Sequence, residues 1–259
     1  MDYELELNKT NRLKLARAFK DNKRVDTSLD CVFEGQMGRA FVDNIAEPTA
    51  YRITVGPFWY FAGDAHGSGG RQLLESFPTY NLFMPSPPAW LAAAQEIYGD
   101  RLKPFTRYSF STAKLSIEQV VGIFDGSKHR EHIIPIDVEL ATRLAEIPDT
   151  YFEIADFDSI QDFIQRGMGF VATDGDTLMD VAYSSLVCST GIEVSIYIDE
   201  SYRQQGLATA LGSRLVLECL RQSLRPNWDA ANPESCKLAQ KLGYVFTEAY
   251  DAYYYPPAR

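Results

Sequence analysis

The residues around position 206 have the types and spacing of an anion-binding site. Residues 192–198 are typical of a strand, and an apolar stripe over residues 205–222 predicts a helix, with Arg203-Gln204-Gln205-Gly206-Leu207-Ala208 where the two meet. A helix N-terminus exposes about four unpaired N–H groups and roughly half a positive charge, so it can hold a phosphate without a basic side chain. Gly206 lets the backbone approach a diphosphate closely, because a Cβ atom there could collide with it. The pattern predicts a site for a nucleotide-like cofactor.

The elements that would position this loop alternate between strands and helices from residue 132 onward. Asp137 and Ser159 are typical N-caps, and Gly167 is a typical helix end. Turn residues between apolar runs, among them a DGD turn at residues 174–176, indicate a meander of strands. The predicted order is strand 132–136, helices from 137 and 159, strands 169–173, 177–187 and 192–198, helix 205–222, strand 228–231, helix 233–242 and strand 244–255.

The first half of the chain is predicted to be a separate mixed α/β domain. Short aromatic or β-branched runs punctuated by glycine predict strands at 31–33, 40–42 and 51–62, and apolar spacing predicts helices at 9–21 and 90–98. The polar stretch 125–131 contains a glycine and four charged residues, which is typical of a boundary. We therefore predict domains of residues 1–131 and 132–259.

The loop sequence RQQGLA fits the pattern (R/Q)xxGx(G/A), and with this order of elements the chain resembles the GNAT superfamily of N-acetyltransferases. The segment YRQQGLATALGSRLVLECLRQSLRPNWDAANPESCKLAQKLGY is similar to the zwittermicin A resistance type of that superfamily. The resemblance is close from Ser159 onward and loose before His132. It implies the α/β fold class, of the α+β type with a mixed sheet. A GNAT-like C-terminal domain with a splayed central sheet would follow a smaller mixed α/β N-terminal domain that covers the cleft.

The resemblance implies acetyl-CoA as co-substrate. Backbone groups at the end of strand 192–198 would meet its pantetheine arm, and the following loop would take its phosphates. Asn232 matches an asparagine that lies near the cofactor in many members, although Asn-Pro at the start of a helix is equally an N-cap with proline at N1. The implied cofactor-binding residues are Ile196, Tyr197, Ile198, Arg203, Gln204, Gln205, Gly206, Leu207, Ala208, Thr209 and Asn232.

Acetyl transfer to an amine also needs a base and an acceptor pocket. An amine with a pKa of about 10 is protonated at neutral pH, so its attack on a thioester needs a base in reach, directly or through one water. Glu193 resembles the acidic residue of the equivalent family strand and is the base we predict; the alternative is a solvated strand face. Trp228 and Asp229 are predicted to contact the acceptor, Asp229 by pairing with its ammonium group, although Trp228 also fits a core position.

One common family feature is missing from this chain. Many members carry a tyrosine in the helix before the last glycine, in a pattern like LYxKLGF, which reprotonates the CoA thiolate; Ala239 stands at that place here, in LAQKLGY. The resistance type also has alanine there. Ser235, Tyr197 and Tyr244 are the candidate proton donors. A non-catalytic acyl-CoA-binding sensor or structural module is the alternative function.

The composition narrows the choice of partners. The formal net charge is −10, from 25 Lys and Arg against 35 Asp and Glu, and no basic cluster is visible, which argues against a nucleic-acid partner. No apolar run approaches the roughly 20 residues of a membrane helix, and the N-terminal segment is acidic, so we predict a cytoplasmic protein without membrane contact. The acidic surface favours a cationic small-molecule amine as acceptor, and the resistance type suggests an amine-bearing antibiotic. His129 and His132 have no third ligand candidate nearby, so no metal site is predicted. The sequence leaves open whether the protein forms a homodimer.

Overall fold

The protein, as a computed structural model, is described over residues 2–22, 27–147, 152–175 and 177–257. The chain packs into two compact units, Met1–Arg107 with Ala249–Arg259, and Tyr108–Glu248. Two strands, Lys103–Ser111 and Val245–Tyr254, each contain a point at which the chain passes from one unit to the other. The domain division at residue 131 stays a prediction.

The first unit is a sheet of short strands with helices packed on it. Its elements are β1 (Tyr3–Leu5), α1 (Lys9–Ala18), α2 (Thr27–Phe33), β2 (Arg39–Val42), β3 (Ala50–Val55), β4 (Phe58–Gly63), α3 (Ser68–Glu75), β5 (Leu82–Phe83), α4 (Pro88–Tyr98) and the first part of β6 (Lys103–Ser111). β1 to β4 pair antiparallel in chain order, and β5 pairs with β4 in parallel. The ring of Phe61 lies at the centre of the aromatic core, 5.0 Å from Trp90 and 5.2 Å from Phe83 between ring centroids.

The predicted strand at residues 31–33 is wrong, because these residues form the end of α2. Leu29 and Val32 are three positions apart and fully buried, as one face of a helix requires. Cys31 is buried as well, and a short apolar run cannot be assigned to a strand or a buried helix by periodicity alone. The strands predicted at 40–42 and 51–62 are confirmed, the second as the hairpin β3–β4.

The second unit contains the elements on both sides of residues 203–208. They are α5 (Ile117–Asp125), β7 (Ile133–Pro135), α6 (Val138–Glu146), α7 (Ile160–Arg166), β8 (Gly169–Asp174), β9 (Thr177–Cys188), β10 (Gly191–Tyr197), α8 (Leu207–Arg221), β11 (Arg225–Asn227), β12 (Asp229–Ala230), α9 (Pro233–Leu242) and the first part of β13 (Val245–Tyr254). Both predicted N-caps are confirmed: Asp137 accepts from Leu140 N and Ser159 from Asp162 N. The predicted turn at 174–176 follows β8, although Asp176 lies outside the described residues.

The five-stranded sheet of this unit splays at one edge. Its order is β11-β10-β9-β8-β7, antiparallel from β7 to β10, with β11 parallel to β10. β10 pairs with β9 as far as Tyr197, but its described pairing with β11 ends at the pair Glu193 and Asn227. The chain then turns away, and Asp229 pairs with Ser109 of β6. The two neighbouring strands therefore diverge, as predicted for the C-terminal half.

Helix α8 packs on this sheet and fixes where its own N-terminus lies. Leu207, Leu211 and Leu215 recur every four residues and are buried, which places one apolar stripe against β8, β9 and β10. Burying each such leucine contributes about 1.5–3 kcal/mol. Within the described ranges, no helix combines the length and apolar character needed to cross a bilayer.

Candidate active site

A cleft of about 1030 Å³ lies where β10 and β11 diverge. This volume is at the upper end of the roughly 300–1,000 Å³ of small-molecule sites. Among the residues predicted to bind the cofactor, act as the base or contact the acceptor, Glu193 and Gln205 do not line it. The predicted residues that the cleft brings together are Ile196, Tyr197, Ile198, Arg203, Gln204, Gly206, Leu207, Ala208, Thr209, Trp228, Asp229 and Asn232.

Glu193 occupies the point at which the sheet splits. Its side chain is buried, with 7% of the residue exposed, and an oxygen of its carboxylate accepts a hydrogen bond from Asn227 Nδ2 at 2.5 Å. The antiparallel register of β10 with β9 shifts between Glu193 and Val194, and Val194 is the next residue along the strand that lines the cleft. The solvated strand face considered from the sequence is therefore wrong for Glu193.

The 199–206 loop, which joins β10 to α8, ends in a left-handed glycine. Gly206 has φ +90°, and a Cβ atom added to it would meet no described atom within 4 Å. Within the described residues, no side chain caps α8 and no acidic residue lies in its first turn. The N–H groups at the start of α8 therefore carry an uncompensated positive potential where Leu207, Ala208 and Thr209 line the cleft.

Arg203 and Gln205 bond within the loop itself. Arg203 forms an ion pair with Glu200 at 3.0 Å, and its Nε donates to the carbonyl oxygen of Ile198 at 3.3 Å. Gln205 Nε2 donates to the carbonyl oxygen of Ser201 at 2.9 Å. Both side chains thus hold the loop conformation, which also includes Gln204 at φ +62°.

Two lysines of α9 line the cleft close to the start of α8. Lys237 and Lys241 are one helical turn apart, and Lys241 Nζ donates to Thr209 Oγ1 at 3.2 Å. This contact puts a positive side chain next to the first turn of α8. The cleft also contains acidic side chains, Glu200, Asp229 and Glu234, so its charge is mixed.

Asn232 is the N-cap of α9. Its Oδ1 accepts from Ser235 N at 2.8 Å, and Pro233 is the first residue of the helix, which is the structural role considered from the sequence. The side chain also lines the cleft. A contact with a cofactor stays a prediction.

The cap and the cofactor contact of Asn232 can be separated by two substitutions. We expect Asn232→Ala to lower the free energy of unfolding by about 1 kcal/mol, because alanine leaves the first turn of α9 without an acceptor, whereas Asn232→Ser keeps one. Urea unfolding followed by circular dichroism measures this difference. Equal stability of the alanine and wild-type proteins would contradict the capping role, and weaker coenzyme binding by the stable serine variant would support the cofactor contact.

Trp228 lies mostly in the core. Only 4% of it is exposed, its ring centroid lies 5.2 Å from that of Tyr244, and its Nε1 donates to Ser235 Oγ at 3.1 Å. Its small exposed part lines the cleft, as does the half-buried Asp229 on β12. An acceptor contact for these two residues stays a prediction.

The candidate proton donors differ in their access to the cleft. Tyr197 and Ser235 line it, whereas Tyr244 is buried and donates its hydroxyl proton to the carbonyl oxygen of Pro226 at 2.9 Å. Burial raises the pKa of Tyr244 well above its usual value, which makes it a poor acid. Ala239 is fully buried in the apolar core of this unit.

Two histidines that a metal would have needed are bonded to backbone oxygens instead. His129 Nε2 lies 2.9 Å from the carbonyl oxygen of Gln205, and His132 Nδ1 lies 3.1 Å from that of Thr173. Over the part of the chain that the structure describes, no three or more His, Cys, Asp or Glu side chains form a group suited to a metal ion.

Sequence reasoning missed Lys237, Lys241 and Tyr202 as cleft residues. The two lysines had a signal, because their spacing of four puts them on one face of a helix that follows the loop pattern. Tyr202 had none, since its position in the cleft depends on the short turn Glu200–Tyr202 within the 199–206 loop.

Comparison with known proteins shows which family this chain is similar to. The chain matches the family model described as GNAT acetyltransferase over residues 17–253. It is 25% identical over 264 residues to the uncharacterized N-acetyltransferase YdfB of Bacillus subtilis (strain 168), a match that covers 96% of this chain and 97% of that protein.

Solved structures share the architecture. The crystal structure of a GCN5-related N-acetyltransferase-like protein from Streptococcus suis 89/1591 matches with a TM-score of 0.83 and 30% identity, covering 95% of this chain and 98% of that one. A GCN5-related N-acetyltransferase from Sphaerobacter thermophilus, at 14% identity, a TM-score of 0.53 and coverage of 98% and 94%, shares the fold alone. These likenesses confirm the predicted mixed α/β fold class.

Proposed function

Because the chain belongs to the GNAT acetyltransferase family and is an acyltransferase, we propose that it transfers an acetyl group from acetyl-CoA to the amine of a small molecule. The observation that carries this proposal is the uncapped N-terminus of α8, which lines the cleft at the splay of the sheet. A diphosphate fits that position, because unpaired N–H groups and the helix dipole both favour an anion there.

The donor would supply the acetyl group as a thioester. We assign its phosphates to the N–H groups at the start of α8 and its pantetheine arm to β10. Among the described residues, β10 has no strand partner on the side away from β9 beyond Glu193, so the backbone groups of residues 194–196 that point away from β9 can bond to an extended ligand. Ile196, Tyr197 and Ile198 line the cleft, which supports placing the arm along the end of β10.

We assign the base to Glu193. Its carboxylate lies at the split between the strands, is mostly buried and accepts from Asn227. Because Glu193 itself does not line the cleft, we propose that it acts on the ammonium group through one water. Asn227 would hold the carboxylate in one orientation while the proton moves. Tyr197 and Ser235, which line the cleft, are the side chains proposed to return a proton to the departing thiolate.

The acceptor proposed is a cationic amine. Asp229 lines the cleft beside Trp228, where a carboxylate can attract an ammonium group, and the net charge of −10 attracts cations over a longer range. The resemblance to the zwittermicin A resistance type keeps amine-bearing antibiotics among the candidates. The fold does not select between amines, because fold and cofactor are shared more widely than acceptors.

We expect Lys241→Gln to raise the Kd for CoA about five- to tenfold at low salt, because one partly solvated charge pair contributes about 1 kcal/mol. The physical reason is the contact between Lys241 and Thr209, which holds the ammonium group beside the proposed phosphate site. Isothermal titration calorimetry measures the change, and Lys114→Gln, an exposed lysine elsewhere on this unit, is the control. An unchanged Kd for Lys241→Gln would remove this lysine from the site.

The reaction itself is tested with acetyl-CoA and a panel of polyamines, aminoglycosides and amino-polyol antibiotics. The proposal predicts that free thiol is released at a rate that depends on the acceptor, and that mass spectrometry detects the acetylated amine. Thiol release no faster than hydrolysis with any acceptor would favour the non-catalytic acyl-CoA-binding module instead.

A further inference from the structure

Asp180 is a buried carboxyl group next to the proposed cofactor loop. It lies on β9, only 4% of it is exposed, and its Oδ1 accepts a hydrogen bond from the backbone N–H of Asp199 at 2.7 Å. Its Oδ2 is also buried and has no hydrogen-bond partner among the described residues. Asp180 does not line the cleft, so a contact with substrate is not its role.

The bond to Asp199 is the first link of a chain that runs along the whole 199–206 loop. Asp199 Oδ1 accepts from the backbone N–H of Ser201 at 2.9 Å, and the carbonyl oxygen of Ser201 accepts from Gln205 at 2.9 Å. The carbonyl oxygen of Gln205 lies 2.9 Å from His129 Nε2. Gly206 and the first turn of α8 follow directly. Asp180 thus holds the loop at its first residue, Asp199, and His129 contacts it near its end, at Gln205.

The charges around Asp180 act in opposite directions. Burial and, to a smaller extent, the nearby carboxylate of Asp199 raise the pKa of Asp180 to about 7, although the N–H of Asp199 and the guanidinium of Arg203 oppose the shift. The hydroxyl and N–H of Ser201 keep the pKa of Asp199 below its usual range, so Asp199 is charged at neutral pH. The raised pKa makes Asp180 a carboxyl group that changes charge near neutrality.

We propose that Asp180 is a positioning residue of the cofactor loop: it orients the loop through Asp199, and its charge state modulates how tightly the loop binds a diphosphate. The diphosphate ligand in this inference is taken from the proposed function. The hydrogen bonds between Asp180 and the loop do not depend on it. Below about pH 7 the carboxyl is neutral and can still accept from Asp199. Above that pH it is an anion behind a loop that binds another anion, so affinity falls as the pH rises.

The ligand-free protein is the first test, by hydrogen exchange of the backbone amides of residues 199–206. Asp180→Leu removes the acceptor for Asp199, and we expect the loop amides to exchange at least about tenfold faster. Asp180→Asn keeps an oxygen that can accept from Asp199, so its exchange should stay close to that of the wild-type protein. Asp174→Asn, an exposed carboxylate on β8, is the matched control.

The second test is the pH dependence of ligand binding between pH 6 and 8.5. The probe is 3′-dephospho-CoA, because a phosphate monoester itself titrates near pH 6. For the wild-type protein and Asp174→Asn we expect the Kd to rise about three- to tenfold over this range, the size expected for a partly screened repulsion between two nearby anions. For Asp180→Asn this rise should be clearly smaller than in these two proteins, because His129, which also contacts the loop, is the same in all three.

Wild-type pH dependence in Asp180→Asn, or unchanged loop exchange in Asp180→Leu, would overturn the proposal. If Asp180→Leu does not fold, the pH profile of Asp180→Asn decides the question. If no variant and no wild-type protein binds the probe, the proposed function fails, and the exchange comparison alone still decides whether Asp180 positions the loop.

Discussion

Gly206→Trp is expected to raise the Kd for CoA at least about 100-fold, a loss of about 2.7 kcal/mol or more. Gly206 stands at φ +90°, directly before α8, with no described atom within 4 Å of an added Cβ. An indole there would occupy the space over the first helical N–H groups, which is where we assign the diphosphate. The left-handed conformation also disfavours any residue with a Cβ, so the loop itself would be strained.

Gly175→Trp is the matched control for this substitution. Gly175 also has a positive φ, +59°, and no described atom within 4 Å of an added Cβ, but it lies after β8 and does not line the cleft. Its variant should bind CoA as the wild-type protein does. Gly206→Asn gives a milder test, because asparagine tolerates the left-handed region better than tryptophan. Undiminished binding by Gly206→Trp, with the fold intact by circular dichroism, would contradict the assigned phosphate site.

Glu193→Gln is expected to lower kcat by about 10²- to 10⁴-fold, the usual contribution of a general base. Glutamine has the shape of glutamate and keeps an oxygen for Asn227, so coenzyme affinity should stay within about twofold because the phosphate contacts are untouched. The defect should shrink as the pH approaches about 10, since the amine then loses its proton in solution. Steady-state rates of thiol release across the pH range measure both effects.

Glu234→Gln serves as the control for this loss, because Glu234 is an exposed carboxylate that lines the same cleft. Its rate should stay near the wild-type value. Full turnover of Glu193→Gln at every pH would remove Glu193 from the mechanism. A rate loss that is the same at all pH values would point to a positional role in the sheet instead.

The local structure of the second unit could be predicted because single residues encode it. Asp137, Ser159 and Asn232 are side chains that accept a backbone N–H at a helix start, and each does so in the structure. The strand at 31–33 was wrong because a short apolar run has no clear period. Neither β6 nor α5 was predicted, although Ser116 caps α5 by accepting from Gln119 N.

The candidate site was predictable where the chain is contiguous and not where it depends on distant pairing. The loop pattern from Arg203 to Ala208 predicted the uncapped start of α8. By contrast, the partner of Glu193 is Asn227, 34 residues away, and the partner of Asp199 is Asp180, 19 residues away. These pairs depend on strand register and on the divergence of β10 from β11, which no local spacing indicates.

The most direct test of a coenzyme site at the start of α8 is to titrate the wild-type protein with CoA and with acetyl-CoA in a calorimeter. Thermal unfolding is measured with the same two ligands. Saturable heat with one site per chain is predicted, as is a midpoint that rises with ligand concentration, since about 2.7 kcal/mol of stabilisation follows at 100 times the Kd. No heat and no protection with either ligand would contradict a coenzyme site at the start of α8.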